Sequence, residues 1–515
     1  MRIDDWPPES EAAWVSRRKL LMLASSALIV LPSACNRPSD STDSLYPKAI
    51  EHNSGEMIYW SATAIARAIL EKRISSEEVV KAYLARIQAV NPKINAVVQL
   101  RAEDALADAE RADASLARGE VKGSLHGVPI TIKDSFDTKG VVSTGGTKGR
   151  AHYVPAEDAT VVARLKAAGA ILLGKTNTPE LTFAWETDNL VYGRTNNPYN
   201  IEKSPGGSSG GAAAILASGG SALDIGSDTG GSIRLPSHFC GTVGIRPTSG
   251  RVPRTGHIIS YIAGAEDAFT QIGPMARFVE DLILTLPIIA GVDWRDPAIV
   301  PMPLGNPREV NLKSLKVSFH TDNGIVTPTP EIMATIRNAA KACADIGCAV
   351  EEKRPTGIEK FYPLLKKWEL SDTGLVDRLL KLAGTTERGP FLKLPEKPPK
   401  PMLLTEYGEF LEQVDSFRSE MLGFLKDYDV VLCPVNAHVA LPHSTAQKEA
   451  ERGAFTYTQV YSITGWPGAV VRGGTSPEGL PIGVEIIGRP WREDVVLAVA
   501  AHIESVLGGF HPPSL

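Results

Sequence analysis

The chain has 515 residues, 43% of them hydrophobic and 22% charged, with a formal net charge of −5. That composition excludes disorder as the state of most of the chain and is enough to bury a large core. A weakly acidic balance lacks the excess of Lys and Arg that phosphate backbones require, so nucleic acid is excluded as a partner.

At the N-terminus, Ser16-Arg17-Arg18-Lys19, the apolar run Leu20 to Leu31 and Pro32-Ser33-Ala34-Cys35 follow the order of a basic n-region, an h-region and a small-residue cleavage site. Residues 1–35 are therefore expected to be an export signal, and the protein to be exported: periplasmic, or a membrane-anchored lipoprotein, in a bacterium. As a helix the apolar run would cover about 18 Å against about 30 Å of hydrocarbon, too short for a lasting span. Arg17-Arg18 resembles a twin-arginine signal, with an ordinary secretory signal as the alternative. Ser33-Ala34-Cys35 matches the end of a lipobox, so Cys35 is either a lipid anchor or part of a simple cleavage site with no anchor. Residues 36–57 read as a polar tether. From 58 to 510 no linker or repeat interrupts the chain, which predicts one large domain.

Within that domain Ile65 and Ile69, then Val79, Val80, Tyr83 and Ile87, recur at helical spacing between Ser61 and Arg118, with Ser75-Ser76 before Glu77-Glu78 as an N-cap. A strand is predicted from Val128 to Ile132, delivering Lys133, then a helix from Asp158 to Ala168 and a strand from Ala170 to Leu173. The pattern recurs as a strand from Leu315 to Phe319, a helix from Pro330 to Asp345 ending near Gly347, and a strand from Cys348 to Glu351. Between Thr356 and Pro401, helix-like text to Leu382 gives way to Pro390, Pro395, Pro398, Pro399 and Pro401. Proline at that density stops helices and central strands, which leaves a flap bordering a substrate entrance or an inert surface excursion. Strands at Val430 to Cys433, Ala469 to Arg472 and Val484 to Ile487 and a helix from Asp494 to Val506 complete the series. Alternating helices and strands predict an α/β fold. Cys240, Cys343, Cys348 and Cys433 are scattered in apolar surroundings and read as buried free thiols. No His or Cys spacing suits a metal, and no cofactor is expected.

Two motif matches are refused by their context. Gly169 to Thr176 fits the phosphate-loop pattern, but its four spacers are themselves the apolar strand and Pro179 follows where a helix should begin. Gly206-Gly207-Ser208-Ser209-Gly210 fits a nucleophile elbow, yet Asn200 to Pro205 before it is polar and proline-broken instead of a strand. What stands out is one lysine and two serines in order: Lys133 in Gly-Val-Pro-Ile-Thr-Ile-Lys-Asp, Ser208 in Ser-Pro-Gly-Gly-Ser-Ser-Gly-Gly, and Ser232 in Asp-Thr-Gly-Gly-Ser-Ile-Arg. Together they supply a base, a relay hydroxyl and a nucleophile. A serine attacks a carbonyl only when a neighbour accepts its proton, and burial of a strand-end amine lowers its proton affinity into a usable range.

These segments, with Phe239 to Val252 and Gly479 to Pro490, resemble the amidase signature enzymes over about Ile58 to Val506. That family includes fatty acid amide hydrolases, bacterial amidases and the glutaminase subunit of tRNA-dependent amidotransferases. Arg246 stands where a lysine is more usual. The resemblance implies a mixed central sheet covered by helices on both faces and hydrolysis of a small-molecule amide through an acyl-enzyme. It implies a Ser-cisSer-Lys triad with Ser232 as nucleophile, Ser208 as bridging serine after Gly207, and Lys133 as base. It further implies an oxyanion hole from the amides of Thr229, Gly230, Gly231 and Ser232, with Ser209 supporting by hydrogen bonds and Asp228 and Arg234 holding the loop as an ion pair. The alternative activity is that of the glutamine-hydrolysing component of a tRNA-dependent amidotransferase; export argues against it, since charged tRNA is cytoplasmic.

Overall fold

The first helix starts where the sequence supplies a cap: Ser61 Oγ accepts from the Ala64 amide at 2.9 Å, opening Ala62–Leu70. Ser75 and Glu78 form a reciprocal capping box that opens Ser76–Ile94. The computed structural model describes residues 56–260, 269–371, 374–392 and 402–515. The expected export signal, Cys35, residues 36–55 of the expected tether, and Pro395 to Pro401 lie outside the described residues. Among the described residues no helix is long and apolar enough to cross a membrane.

Eleven strands are described: β1 (Val97–Leu100), β2 (Pro129–Lys133), β3 (Ile171–Thr176), β4 (Leu223–Asp228), β5 (Val243–Arg246), β6 (Gln271–Ala276), β7 (Lys316–Phe319), β8 (Ala349–Glu352), β9 (Val430–Pro434), β10 (Gly468–Thr475) and β11 (Pro481–Gly488). They form two sheets. The larger runs β4-β6-β5-β10-β11-β9-β7-β8, antiparallel from β4 through β9 and parallel across β9-β7-β8. The smaller runs β1-β3-β2, with β2 parallel to β3 and Lys133 paired with Thr176.

Strand alternation divides the side chains of the large sheet between two cores. Val430, Leu432, Val484 and Ile486 pack with Ile336 and Ala339 of the helix Pro330–Ile346 and with Val496 and Val499 of the helix Glu493–Leu507. Val431, Cys433 and Ile487 point the other way, against Phe361 and Trp368 of Phe361–Ser371 and Phe417 and Met421 of Leu404–Phe424. Helices therefore flank the mixed sheet on both faces. Gly347 closes the helix Pro330–Ile346 in the left-handed region (φ 108°), a stop legible in the sequence. The four described cysteines are buried free thiols.

Candidate active site

β2 is buried along its whole length and ends on Lys133, which has no solvent exposure. Its Nζ donates to three hydroxyls: Ser208 Oγ at 2.7 Å, Ser209 Oγ at 2.9 Å and Ser227 Oγ at 2.9 Å. Burial drives the amine's proton affinity well below the usual lysine range, against the opposing carboxylates of Asp228 and Asp224. An ammonium can donate to all three hydroxyls. A neutral amine has two protons and a lone pair, so one hydroxyl must then turn and donate to it.

Ser208 follows a cis peptide bond from Gly207. A Cβ on Gly207 would lie 2.6 Å from the Ala184 carbonyl oxygen and 2.8 Å from the Glu186 amide, so backbone crowds this position on the side where a side chain would go. The Ser209 amide donates to the Ser232 carbonyl at 3.1 Å, joining the two serine segments before the helix Gly210–Ala217 begins. Ser232, 7% exposed, lines a cavity of about 220 Å³ walled by Phe183, Trp185, Leu365 and Trp368, with Thr229 and Gln459 adding polar edges. Among the described residues no hydrogen bond joins Ser208 Oγ to Ser232 Oγ, and no histidine bonds Ser232. His238, six residues on, is occupied elsewhere: its Nδ1 accepts from the Gly483 amide and its Nε2 meets the His438 carbonyl.

The turn from β4 into the helix Arg234–Cys240 is organised by Asp228 and Arg234, both fully buried. Arg234 donates to Asp228 through Nε and Nη2, each at 2.9 Å, to Glu485 at 2.6 Å, to the Thr458 carbonyl and to Ser462. Burial would push the Asp228 carboxyl up, but Arg234, Arg246 and the Gly231 amide outweigh it and hold it at about 2. Glu485 goes the other way: burial pushes it up to about 7 despite Arg234. The Gly231 amide donates to Asp228 Oδ1 at 2.7 Å, so of the four amides expected to face an oxyanion this one is already engaged. Gly231 has φ 119°, and a Cβ there would lie 2.3 Å from Thr458 Oγ1, two reasons for glycine.

Ser227, Glu485, Thr458 and Gln459 were not singled out in the sequence. Ser227 had a signal, since it sits beside Asp228 in the same glycine-rich run; the others come from distant segments of the chain. Lys175 of the refused phosphate loop is buried, donating to the Phe136 carbonyl and to Thr138 at 2.8 Å. Leu365 and Trp368 put the helix Phe361–Ser371 at the cavity wall; the proline-dense stretch read as a flap or a surface excursion lies largely outside the described residues.

A family profile described as Amidase matches residues 78–497. The chain belongs to the amidase family. An acylamidase of Rhodococcus erythropolis is 34% identical over 87% of this chain and 96% of its own length. The A chain of the glutamyl-tRNA(Gln) amidotransferase of Moorella thermoacetica is 33% identical over 87% of this chain and 97% of its own. Among solved structures, 6-aminohexanoate cyclic dimer hydrolase superposes with a TM-score of 0.77 at 27% identity, covering 88% of this chain and 98% of that one. With this membership the amidase is an enzyme acting on amide C–N bonds by hydrolysis.

Proposed function

We propose that this amidase cleaves a carboxylic acid amide through an acyl-enzyme on Ser232, with Lys133 as base and Ser208 as proton relay. The observation that carries this reading is the fully buried Lys133 amine 2.7 Å from Ser208 Oγ. Neutral Lys133 takes the Ser208 proton while Ser208 takes that of Ser232, whose oxygen bonds to the amide carbon. The carbonyl oxygen becomes an anion facing the amides of Thr229, Gly230 and Ser232; loss of one such donor costs about 3 kcal/mol of transition-state stabilisation. Ser208 then protonates the amine as the C–N bond breaks, and Lys133 returns its proton to Ser208. Water, activated by the same relay, releases the acid and restores Ser232.

The cavity sets Phe183, Trp185 and Trp368 beside the polar Gln447, Arg452 and Gln459, which favours an acyl group with an apolar body. Fluorophosphonate labelling mapped by mass spectrometry tests the nucleophile: modification at Ser232, lost in Ser232→Ala, is expected, and modification elsewhere defeats the reading. Likeness to the glutamyl-tRNA(Gln) amidotransferase chain supports the second reading, glutamine hydrolysis feeding a partner. Co-purification with a stable partner protein together with cytoplasmic retention would promote it. The export signal read over residues 1–35 favours the free hydrolase; fractionation of cells making the full chain tests that.

A further inference from the structure

Asp224 lies on β4, on the large sheet, and is fully buried. Its Oδ2 accepts from Thr131 Oγ1 at 2.6 Å and Thr176 Oγ1 at 3.0 Å. Thr131 is two residues before Lys133 on β2, and Thr176 is the residue paired with Lys133 across the β2-β3 ladder. One carboxyl of the large sheet thus ties down a residue of the Lys133 strand and the residue paired with Lys133 across the small sheet. Its other oxygen, Oδ1, is buried with no hydrogen-bond partner among the described residues. A buried carboxylate oxygen without a donor is costly, and a proton or a nearby cation relieves that cost.

We propose that Asp224 is a positioning residue that braces the strands around Lys133 and sets a negative charge behind its amine. The electrostatics agree with the geometry. Burial pushes the Asp224 carboxyl up to about 7, with the two threonine hydrogen bonds, the Ile225 amide and, last, the Lys133 charge opposing. Burial pushes Lys133 down, with Asp228 and Asp224 opposing. The carboxylate thus favours the ammonium while burial disfavours it, and the two set where Lys133 becomes neutral. The other charged and titratable groups facing the pair are Asp228 on β4, kept ionised by Arg234, Lys175 on β3, and His257, which burial pushes down to about 3 and keeps neutral.

The inference rests on Lys133 being the base, and its test needs no known substrate. The rate at which a fluorophosphonate labels Ser232 is measured against pH in the full chain, for the parent and for Asp224→Asn. Asparagine keeps an oxygen for both threonines and removes the charge that favours the ammonium. The acid limb, where Lys133 becomes neutral, is expected to move down by about 1 pH unit or more. A carboxyl that only braced the strands would lower the plateau and leave the midpoint where it was, and that result overturns the proposal. Should Asp224→Asn fail to fold, Thr176→Val removes one donor to Oδ2 and raises the carboxyl's hold on its proton. The limb then moves in the same direction by less, and an unmoved limb is again the overturning result. Undiminished labelling in Lys133→Ala would remove Lys133 as the base and with it the reading on which this inference rests. Lost labelling in that variant, with an unmoved limb in Asp224→Asn, removes only the role of Asp224.

Discussion

Replacing Arg234 by methionine keeps an unbranched chain in the same space and deletes the guanidinium. The structure defines what is lost: two bonds to Asp228, one each to Glu485, the Thr458 carbonyl and Ser462, all without solvent to replace them. Glu485, pushed up to about 7, can take a proton; Asp228, held at about 2, loses both of its close charged bonds and keeps only Arg246, at 3.8 Å, as a counter-charge. Breaking a buried pair in this way costs about 3–5 kcal/mol. For a chain of this length, an unfolding entropy of about 2.1 cal/mol/K per residue sums to about 1 kcal/mol/K, so the melting midpoint should fall by about 3–5 °C. Scanning calorimetry of Arg234→Met measures it. The triple variant Arg234→Met, Asp228→Asn, Glu485→Gln removes both carboxylates, leaves Arg246 as the one charge of the cluster, and should recover part of the loss. A single variant melting within about 1 °C of the parent, or a triple variant melting as low as the single, would refute the argument that stranded charge and not lost packing sets the cost.

Gly207→Ala should abolish turnover and lower the melting midpoint by more than a surface substitution does, because its Cβ would meet the backbone of Ala184, Trp185 and Glu186, none of which is a side chain free to move aside; calorimetry and fluorophosphonate labelling read both effects. Trp368→Ala removes one wall of the cavity and should shift preference toward longer acyl amides, read as a rise in relative kcat/KM along a chain-length series; an unchanged ranking removes Trp368 from substrate selection. Glu504, buried and accepting from the Val279 amide, is pushed up to about 8 by burial, with Asp281 and Glu280 adding to the push. A carboxyl with a raised folded-state pKa stabilises fully below its unfolded value near 4.5, and that stability is lost as pH rises toward about 8. Glu504→Gln should therefore narrow the gap in melting midpoint between pH 5 and pH 9.

Much of the fold could be read from the sequence where apolar periodicity and exposure coincide. The helix Pro330–Ile346 and strands β7, β8, β9 and β11 show this, and their edges differ from expectation by a few residues. β4 escaped because only Leu223 and Ile225 mark its apolar face, while Asp224, Ser227 and Asp228 are polar yet buried; their partners lie on β2 and on the helix Arg234–Cys240. β6 contains Pro274 between two antiparallel neighbours, which a proline-based reading demotes. β1 was absorbed into the helical stretch around it, being four residues long and only partly buried. At the site, Lys133, Ser208 and Ser209 were legible because glycine-rich text and a strand end announce themselves locally. Glu485 and Ser462 were not, since each reaches Arg234 from more than 200 residues away.

Lys133 belongs to the three-stranded ladder, while Ser227 and the turn carrying Ser232 belong to the eight-stranded one. A polypeptide severed between Thr176 and Ser204 would yield two fragments, one with the amine and one with the serines, each inert by itself. Mixing them would turn covalent labelling of Ser232 into a gauge of reassembly, with reactivity emerging only as the fragments dock.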